Sequence, residues 1–145
     1  MYLWRISRFA DLSGKGGELV AGRWHEKGTR VVYCADHPST ALLEMLVHLN
    51  PANVPETFQL LKIECPDRLL PDGAFFREIQ GSIHDIGFTR PFGMRWLQQN
   101  SDCLLLVPSA VMPAASNILL NPSHPDAETI SIAETFQYPF DRRLK

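Results

Sequence analysis

The chain has 145 residues and a formal net charge of −2, with 45% hydrophobic and 21% charged residues, values that are typical of a soluble globular protein. This charge and a pI of about 6.2 argue against a nucleic acid or an anionic membrane as a direct partner. The length predicts one domain over 1–145. The N-terminus lacks a basic segment followed by an apolar run, and no apolar stretch approaches ~18 residues, so we expect a cytoplasmic protein.

The start of the chain predicts two strands separated by a loop. Alternating side chains predict a strand at 2–6, and the run VVYCA predicts a buried strand at 31–35. Between them, four glycines in the segment 11–22 predict a flexible loop.

A helix is predicted next, beginning at Pro38 and ended by Asn50 and Pro51. Proline suits the first turn of a helix, and the residue before it, Asp36 or His37, is a possible N-cap. Four leucines at three- to four-residue spacing are expected to form the core-facing stripe: Leu42, Leu43, Leu46 and Leu49.

The rest of the chain predicts four more strands, at 57–65, 103–107, 117–121 and 130–140. A turn and loop region is expected at 66–73. The segment 77–101 is ambiguous and suggests a short helix ending near Asn100. Strands do not alternate with helices as regular βαβ units. We therefore expect a compact α+β fold with a mixed or mostly antiparallel sheet and few helices. Neither a GxGxxG nor a P-loop motif occurs, which disfavours both of those nucleotide-binding folds.

The cysteines and histidines show no metal-site pattern. Cys34, Cys65 and Cys103 are odd in number, form no CxxC, and each lies in or beside an apolar run, which indicates buried free thiols in a reducing compartment. The histidines form no HExxH, so no catalytic metal is expected.

The segment GGELVAGRWHEKGTRVVYCA joins a glycine-rich loop to the second strand and holds two candidate site residues. Arg23 follows a glycine, and a guanidinium in such a loop can bind phosphate oxygens in pairs. An ordinary solvated arginine is the simpler alternative. Tyr33 lies on the strand face opposite Val32 and Cys34. It is either a core residue or a ring that lines a cleft and stacks on a flat ligand.

Three further candidates lie on the helix and near later strands. Glu44 falls nearly opposite the leucine stripe and shares a polar stripe with Thr40 and His48, which faces either solvent or a cleft. Ser109 follows a strand end and is either a turn residue or a ligand contact, without the GxSxG of a nucleophile elbow. Asn117 belongs to a polar cluster around a short strand and is a candidate ligand contact.

Six segments of the chain stand in this order between residues 2 and 144: YLWRI, GRWHEKGTRVVYCA, TALLE, VPSAV, NILLNPSHP and PFDRRL. Together, and in this order, they resemble the RES domain, the toxin half of RES–Xre toxin–antitoxin pairs. The resemblance implies a fold similar to ADP-ribosyltransferase toxins, NAD as the substrate, cleavage of its nicotinamide–ribose bond, and a helix-turn-helix antitoxin of the Xre type as partner.

The resemblance also assigns roles to individual residues. The family's arginine, tyrosine, glutamate and serine fall on Arg23, Tyr33, Glu44 and Ser109. Arg23 would hold the pyrophosphate, Tyr33 would face the nicotinamide, and Glu44 would stabilise the ribosyl cation. Ser109, with Asn117 as an additional candidate, would contact the substrate. Residues 66–101 match nothing that assigns them a role.

Two other functions stay open at this point. A toxin that cleaves RNA would need a basic groove, which the net charge disfavours. A non-catalytic nucleotide-binding module would need Arg23 and Tyr33 but not Glu44. The acceptor of the ADP-ribosyl group, whether water, phosphate or a protein, is not specified by any of these residues.

Overall fold

A computed structural model describes residues 1–73 and 75–145 of the chain. Its strands are β1 (Tyr2–Ile6), β2 (Val32–Ala35), β3 (Thr57–Glu64), β4 (Leu104–Pro108), β5 (Ser116–Leu120) and β6 (Ser131–Pro139). Its α-helices are α1 (Lys15–Leu19), α2 (Pro38–His48), α3 (Phe76–Gln80) and α4 (Ile86–Gln99). Among the described residues, no helix is long and apolar enough to cross a membrane.

The strands of the described chain form a single antiparallel sheet in the order β4-β5-β2-β1-β3-β6. The expected α+β fold with a mostly antiparallel sheet is therefore confirmed. Strand β2 lies near the centre, between β1 and β5, so its side chains alternate between the two covered faces of the sheet.

The two sheet faces carry separate hydrophobic clusters. Val32 and Cys34 of β2 belong to one cluster, on the face where loops cover the sheet. Tyr33 points to the opposite face, as the alternation predicts, and packs against a second cluster that α3 and α4 cover. The three cysteines are buried and unpaired in the first cluster. This second face holds the features that matter for function.

Helix α2 begins as its sequence predicts but is buried differently. His37 is the N-cap, and its ring nitrogen accepts a hydrogen bond from the Ser39 amide. The leucines of α2 were predicted to face the core, but they are only half-buried. The buried positions of this helix are Thr40 and Ala41. The helix packs over β1 and β2 beside an open cleft, which Leu49 also lines.

Two predicted irregular regions contain helices. The loop expected at 11–22 includes α1, whose start is set by Gly14 in the left-handed conformation with φ 73°. The ambiguous segment 77–101 contains part of α3 and all of α4, a helix of 14 residues that ends near Asn100, as expected. Asn100 itself is the C-cap, in the left-handed conformation.

Candidate functional site

A cleft of about 700 Å³ opens on the second sheet face, within the size range of small-ligand sites. Helix α2 forms one wall, and the loop before β2 together with α4 forms the other. Strands β2 and β5 supply part of its floor. Four of the five predicted site residues line this one cleft: Arg23, Tyr33, Glu44 and Asn117.

The carboxylate of Glu44 is held by two hydrogen bonds to one of its oxygens. Oε1 accepts from Ser109 Oγ at 2.9 Å and from Asn117 Nδ2 at 2.8 Å. Oε2 makes no hydrogen bond to the described residues. The carboxylate is therefore fixed through one oxygen, while the other can accept a hydrogen bond from a molecule in the cleft.

Ser109, the fifth predicted residue, lies behind Glu44 and not on the cleft surface. It is 1% exposed, and its hydroxyl oxygen accepts from the amides of Val111 and Met112 at 3.2 and 3.1 Å. A hydroxyl has one proton to donate, and here it goes to Glu44. Its placement supports the carboxylate and does not offer a direct contact to a ligand.

Arg23 is anchored through helix α4 and the segment before it. Its Nη1 donates to the carbonyl of Ile83 at 2.6 Å, and its own carbonyl accepts from Thr89 Oγ1 at 2.7 Å. Gly93 lets the helix approach this closely, because a Cβ there would lie 1.9 Å from the Trp24 carbonyl oxygen. The loop therefore depends on α4 for its position.

One further arginine, Arg90, lines the cleft, and sequence analysis did not single it out. Arg90 donates from Nε to the carbonyl of Gly22 at 2.8 Å and, like Arg23, forms no ion pair with the described residues. Arg5 pairs across the sheet with Leu61, so its side chain belongs to the first face and not to the cleft face. Two guanidinium groups thus accompany Glu44, the one lining carboxylate of the cleft among the described residues.

The Tyr33 hydroxyl has two hydrogen-bond partners beside the cleft. It lies 2.7 Å from His25 Nδ1 and accepts a hydrogen bond from the Trp24 amide at 3.1 Å. Burial raises the pKa of Tyr33 to about 12, against the opposing effects of the Trp24 amide and the charges of Arg90 and Arg23. At neutral pH the phenol is protonated.

The sequence held only weak signals for Arg90 and His25. Arg90 lies in the segment whose structure was ambiguous, and no local pattern joins it to Gly22. His25 shows no metal-ligand spacing, and within the described residues no group of three or more histidine, cysteine or acidic side chains could hold a metal ion. The proximity of His25 to Tyr33 depends on the turn between them.

Fold and cleft together define a small α+β domain with a pocket in which two arginines accompany one fixed carboxylate. The RES domain family model matches residues 2–141, so the chain belongs to the RES domain family. The predicted resemblance is thereby confirmed, and the chain is a toxin of the toxin–antitoxin class.

Relatives and a solved structure agree with this placement. A protein named Toxin Res from Pseudomonas putida KT2440 is 48% identical over 135 residues, covering 91% of this chain and 92% of the relative. The Prs ADP-ribosylating toxin of Sphingobium sp. YBL2 is 36% identical and covers 97% of this chain and 94% of the relative. The fold is similar to a chain of the MbcT-MbcA toxin-antitoxin complex of M. tuberculosis, with a TM-score of 0.74, 16% identity and coverage of 95% and 84%.

Proposed function

We propose that this RES-family toxin degrades NAD by cleaving the bond between nicotinamide and ribose. The observation that carries the proposal is that two arginines without an ion-pair partner among the described residues, Arg23 and Arg90, share a cleft of about 700 Å³ with one fixed carboxylate, Glu44. NAD combines an anionic pyrophosphate with a ribose that develops positive charge during cleavage. The cleft offers both kinds of complementary charge.

The pyrophosphate would bind to Arg23 and Arg90. Each guanidinium uses one N–H on a backbone carbonyl, Ile83 for Arg23 and Gly22 for Arg90, so its orientation is fixed. The remaining donors of each fork stay available for phosphate oxygens, which guanidinium groups bind in pairs. Fixed donors lose little conformational entropy on binding, which favours affinity.

The chemical step breaks the bond between the ribose C1′ and the pyridinium nitrogen. The bonding electron pair goes to that nitrogen and cancels its positive charge, so nicotinamide leaves as a neutral molecule without needing a proton. The ribose is left with oxocarbenium-like positive charge, as in glycoside hydrolysis. The protein must therefore stabilise a cation rather than protonate a leaving group.

Glu44 would supply that stabilisation. Its free oxygen, Oε2, can accept a hydrogen bond from a ribose hydroxyl or lie near the developing charge. Ser109 and Asn117 hold the other oxygen, so the carboxylate does not have to reorient during the reaction. A preorganised group of this kind acts mainly on the transition state and so raises the rate of cleavage.

The acceptor of the ADP-ribosyl group would be water, phosphate or a protein side chain. One relative is named an ADP-ribosylating toxin, which favours a protein acceptor for that relative. For this chain, release of nicotinamide is common to all three acceptors. The partner would be an antitoxin, proposed here to be an Xre-like helix-turn-helix protein, and both would act in the cytoplasm.

The experiment is an assay of nicotinamide release by the purified toxin. The protein is incubated with NAD, with and without inorganic phosphate, and the products are separated by chromatography. Nicotinamide with ADP-ribose indicates hydrolysis, and a phosphate-dependent product indicates phosphorolysis. Total RNA incubated in parallel tests the ribonuclease alternative. NAD that stays intact, with bound nucleotide detected by calorimetry, would favour the non-catalytic module.

A further inference from the structure

The buried imidazole of His25 connects the glycine-rich loop to the tyrosine on the cleft floor. It is 2% exposed, and both of its ring nitrogens have partners. Nε2 lies 3.0 Å from the carbonyl oxygens of both Gly17 and Val20. Carbonyl oxygens only accept hydrogen bonds, so Nε2 must carry a proton.

The tautomer determines how the Tyr33 hydroxyl is used. With its proton on Nε2, a neutral His25 has a bare Nδ1, which accepts the Tyr33 O–H at 2.7 Å. The Tyr33 oxygen in turn accepts the Trp24 amide. The phenol therefore donates its only proton away from the cleft. What remains for a ligand is the face of the ring.

The surrounding glycines show that this arrangement leaves no spare room. A Cβ at Gly22 would lie 2.5 Å from the Tyr33 hydroxyl oxygen and 3.0 Å from His25 Nδ1, and a Cβ at Gly17 would lie 3.1 Å from His25 Nε2. The pair is therefore enclosed by backbone at positions where a side chain would displace it. Such enclosure fixes the angle of the tyrosine ring in the cleft.

We propose that His25 is a positioning residue, which holds the Tyr33 ring in the orientation that stacks on the nicotinamide. This inference rests on the proposed function and adds a residue to it. Nicotinamide leaves as a neutral molecule and needs no proton from the enzyme, so the hydrogen bond from the Tyr33 hydroxyl to His25 does not hinder the reaction. A tyrosine ring of fixed orientation contributes to the binding and orientation of the nicotinamide.

Two substitutions separate the two sides of the imidazole. In His25→Asn, the amide oxygen takes the place of Nδ1 and keeps an acceptor for Tyr33, while the donor to Gly17 and Val20 is lost. In His25→Gln, the amide nitrogen takes the place of Nε2 and keeps that donor, while the acceptor for Tyr33 is lost. If His25 acts through Tyr33, the asparagine variant is the active one. If His25 only stabilises the loop, the glutamine variant is the active one instead.

The measurement is kcat/KM for nicotinamide release, made on His25→Asn, His25→Gln, Tyr33→Phe and the double variant His25→Gln/Tyr33→Phe. We expect His25→Asn within about threefold of wild type, and about tenfold losses for His25→Gln and for Tyr33→Phe, the size of one hydrogen bond. The double variant should lose about tenfold rather than about a hundredfold, because both changes remove the same contact. Thermal unfolding of each variant reports its folding separately.

The results that overturn the inference are equally specific. They are wild-type activity in His25→Gln, a loss in His25→Asn as large as in His25→Gln, or a double variant in which the two losses multiply. Failure of the proposed function is a different result, since the wild-type toxin would then release no nicotinamide.

In that case, histidine nitrogen NMR still decides the geometry. The His25 signals, identified by their loss in His25→Asn, should show a protonated Nε2 and a bare Nδ1 that shifts in Tyr33→Phe. A protonated Nδ1, or no response to Tyr33→Phe, would refute the role given to His25.

Discussion

Ser109 donates its hydroxyl proton to Glu44 across 2.9 Å and thereby connects the end of the β4 strand to the middle of the α2 helix. The same hydroxyl oxygen accepts the amides of Val111 and Met112, so the serine also closes the turn that follows its strand. One buried side chain thus positions the carboxylate and stabilises the backbone, so its removal should affect both.

Ser109→Ala should impair both activity and stability. The alanine leaves two amides without their acceptor and removes one donor from Glu44. We expect the free energy of unfolding to fall by about 1–3 kcal/mol, the usual cost of unsatisfied buried groups. Urea denaturation measures this loss. Ser123→Ala, at an exposed turn serine whose hydroxyl makes no hydrogen bond among the described residues, is the control and should unfold like wild type.

Arg90→Lys should weaken substrate binding more than turnover. A lysine keeps the positive charge but lacks the planar guanidinium, whose several N–H groups can bond the Gly22 carbonyl and a phosphate oxygen at the same time. We expect KM for NAD to rise by about tenfold with kcat changed by less than about threefold, the pattern of lost uniform binding. Arg8→Lys, at an exposed position, is the matched control. Equal KM values for the two variants would show that Arg90 does not bind the substrate.

Gly93→Ala should destabilise the domain strongly, because its Cβ would meet the Trp24 carbonyl oxygen at 1.9 Å. The helix α4 would have to move away from the loop that carries Arg23. We expect a loss of roughly 2–4 kcal/mol in the free energy of unfolding, as for severe overpacking. Gly16→Ala, where the added Cβ meets nothing within 4 Å, is the control and should be near neutral. Similar melting temperatures for the two variants would contradict this packing.

Tyr33 should make stability depend on pH in the alkaline range. Burial raises its pKa from 10.0 to about 12, so between these values the unfolded chain loses the phenol proton while the folded chain keeps it. The contribution of Tyr33 is therefore complete below pH 10 and is lost as the pH rises toward 12. It amounts to about 2 kcal/mol. The free energy of unfolding of Tyr33→Phe should fall less than that of wild type between pH 10 and pH 12. Identical pH profiles for the two proteins would contradict the raised pKa of Tyr33.

Local patterns were sufficient for the sequence to predict part of the site. Alternation along β2 placed Tyr33 on the face opposite Val32 and Cys34, and helical spacing placed Glu44 away from the leucines, toward what proved to be the cleft. Both inferences need only the period of one element. The burial of the leucines was misjudged because it depends on what covers α2, and this is a property of the assembled fold.

The remaining site residues depend on contacts between distant segments. Arg90 reaches the cleft only because α4 packs against the loop at Trp24, and this contact joins residues far apart in sequence. Ser109 was predicted as a ligand contact, but its hydroxyl is directed at Glu44 by a turn that the sequence around it does not specify. Tertiary packing decides such orientations, and a single sequence does not record it.

The central claim is that Glu44, held by Ser109 and Asn117, drives cleavage of NAD at its nicotinamide bond. The most direct test compares nicotinamide release by wild-type toxin, Glu44→Gln and the exposed control Glu128→Gln. Removing one preorganised charge from a transition state should lower kcat by about 10²–10³-fold in Glu44→Gln, while the control and the wild type release nicotinamide equally. Release by Glu44→Gln at the wild-type rate would contradict the claim.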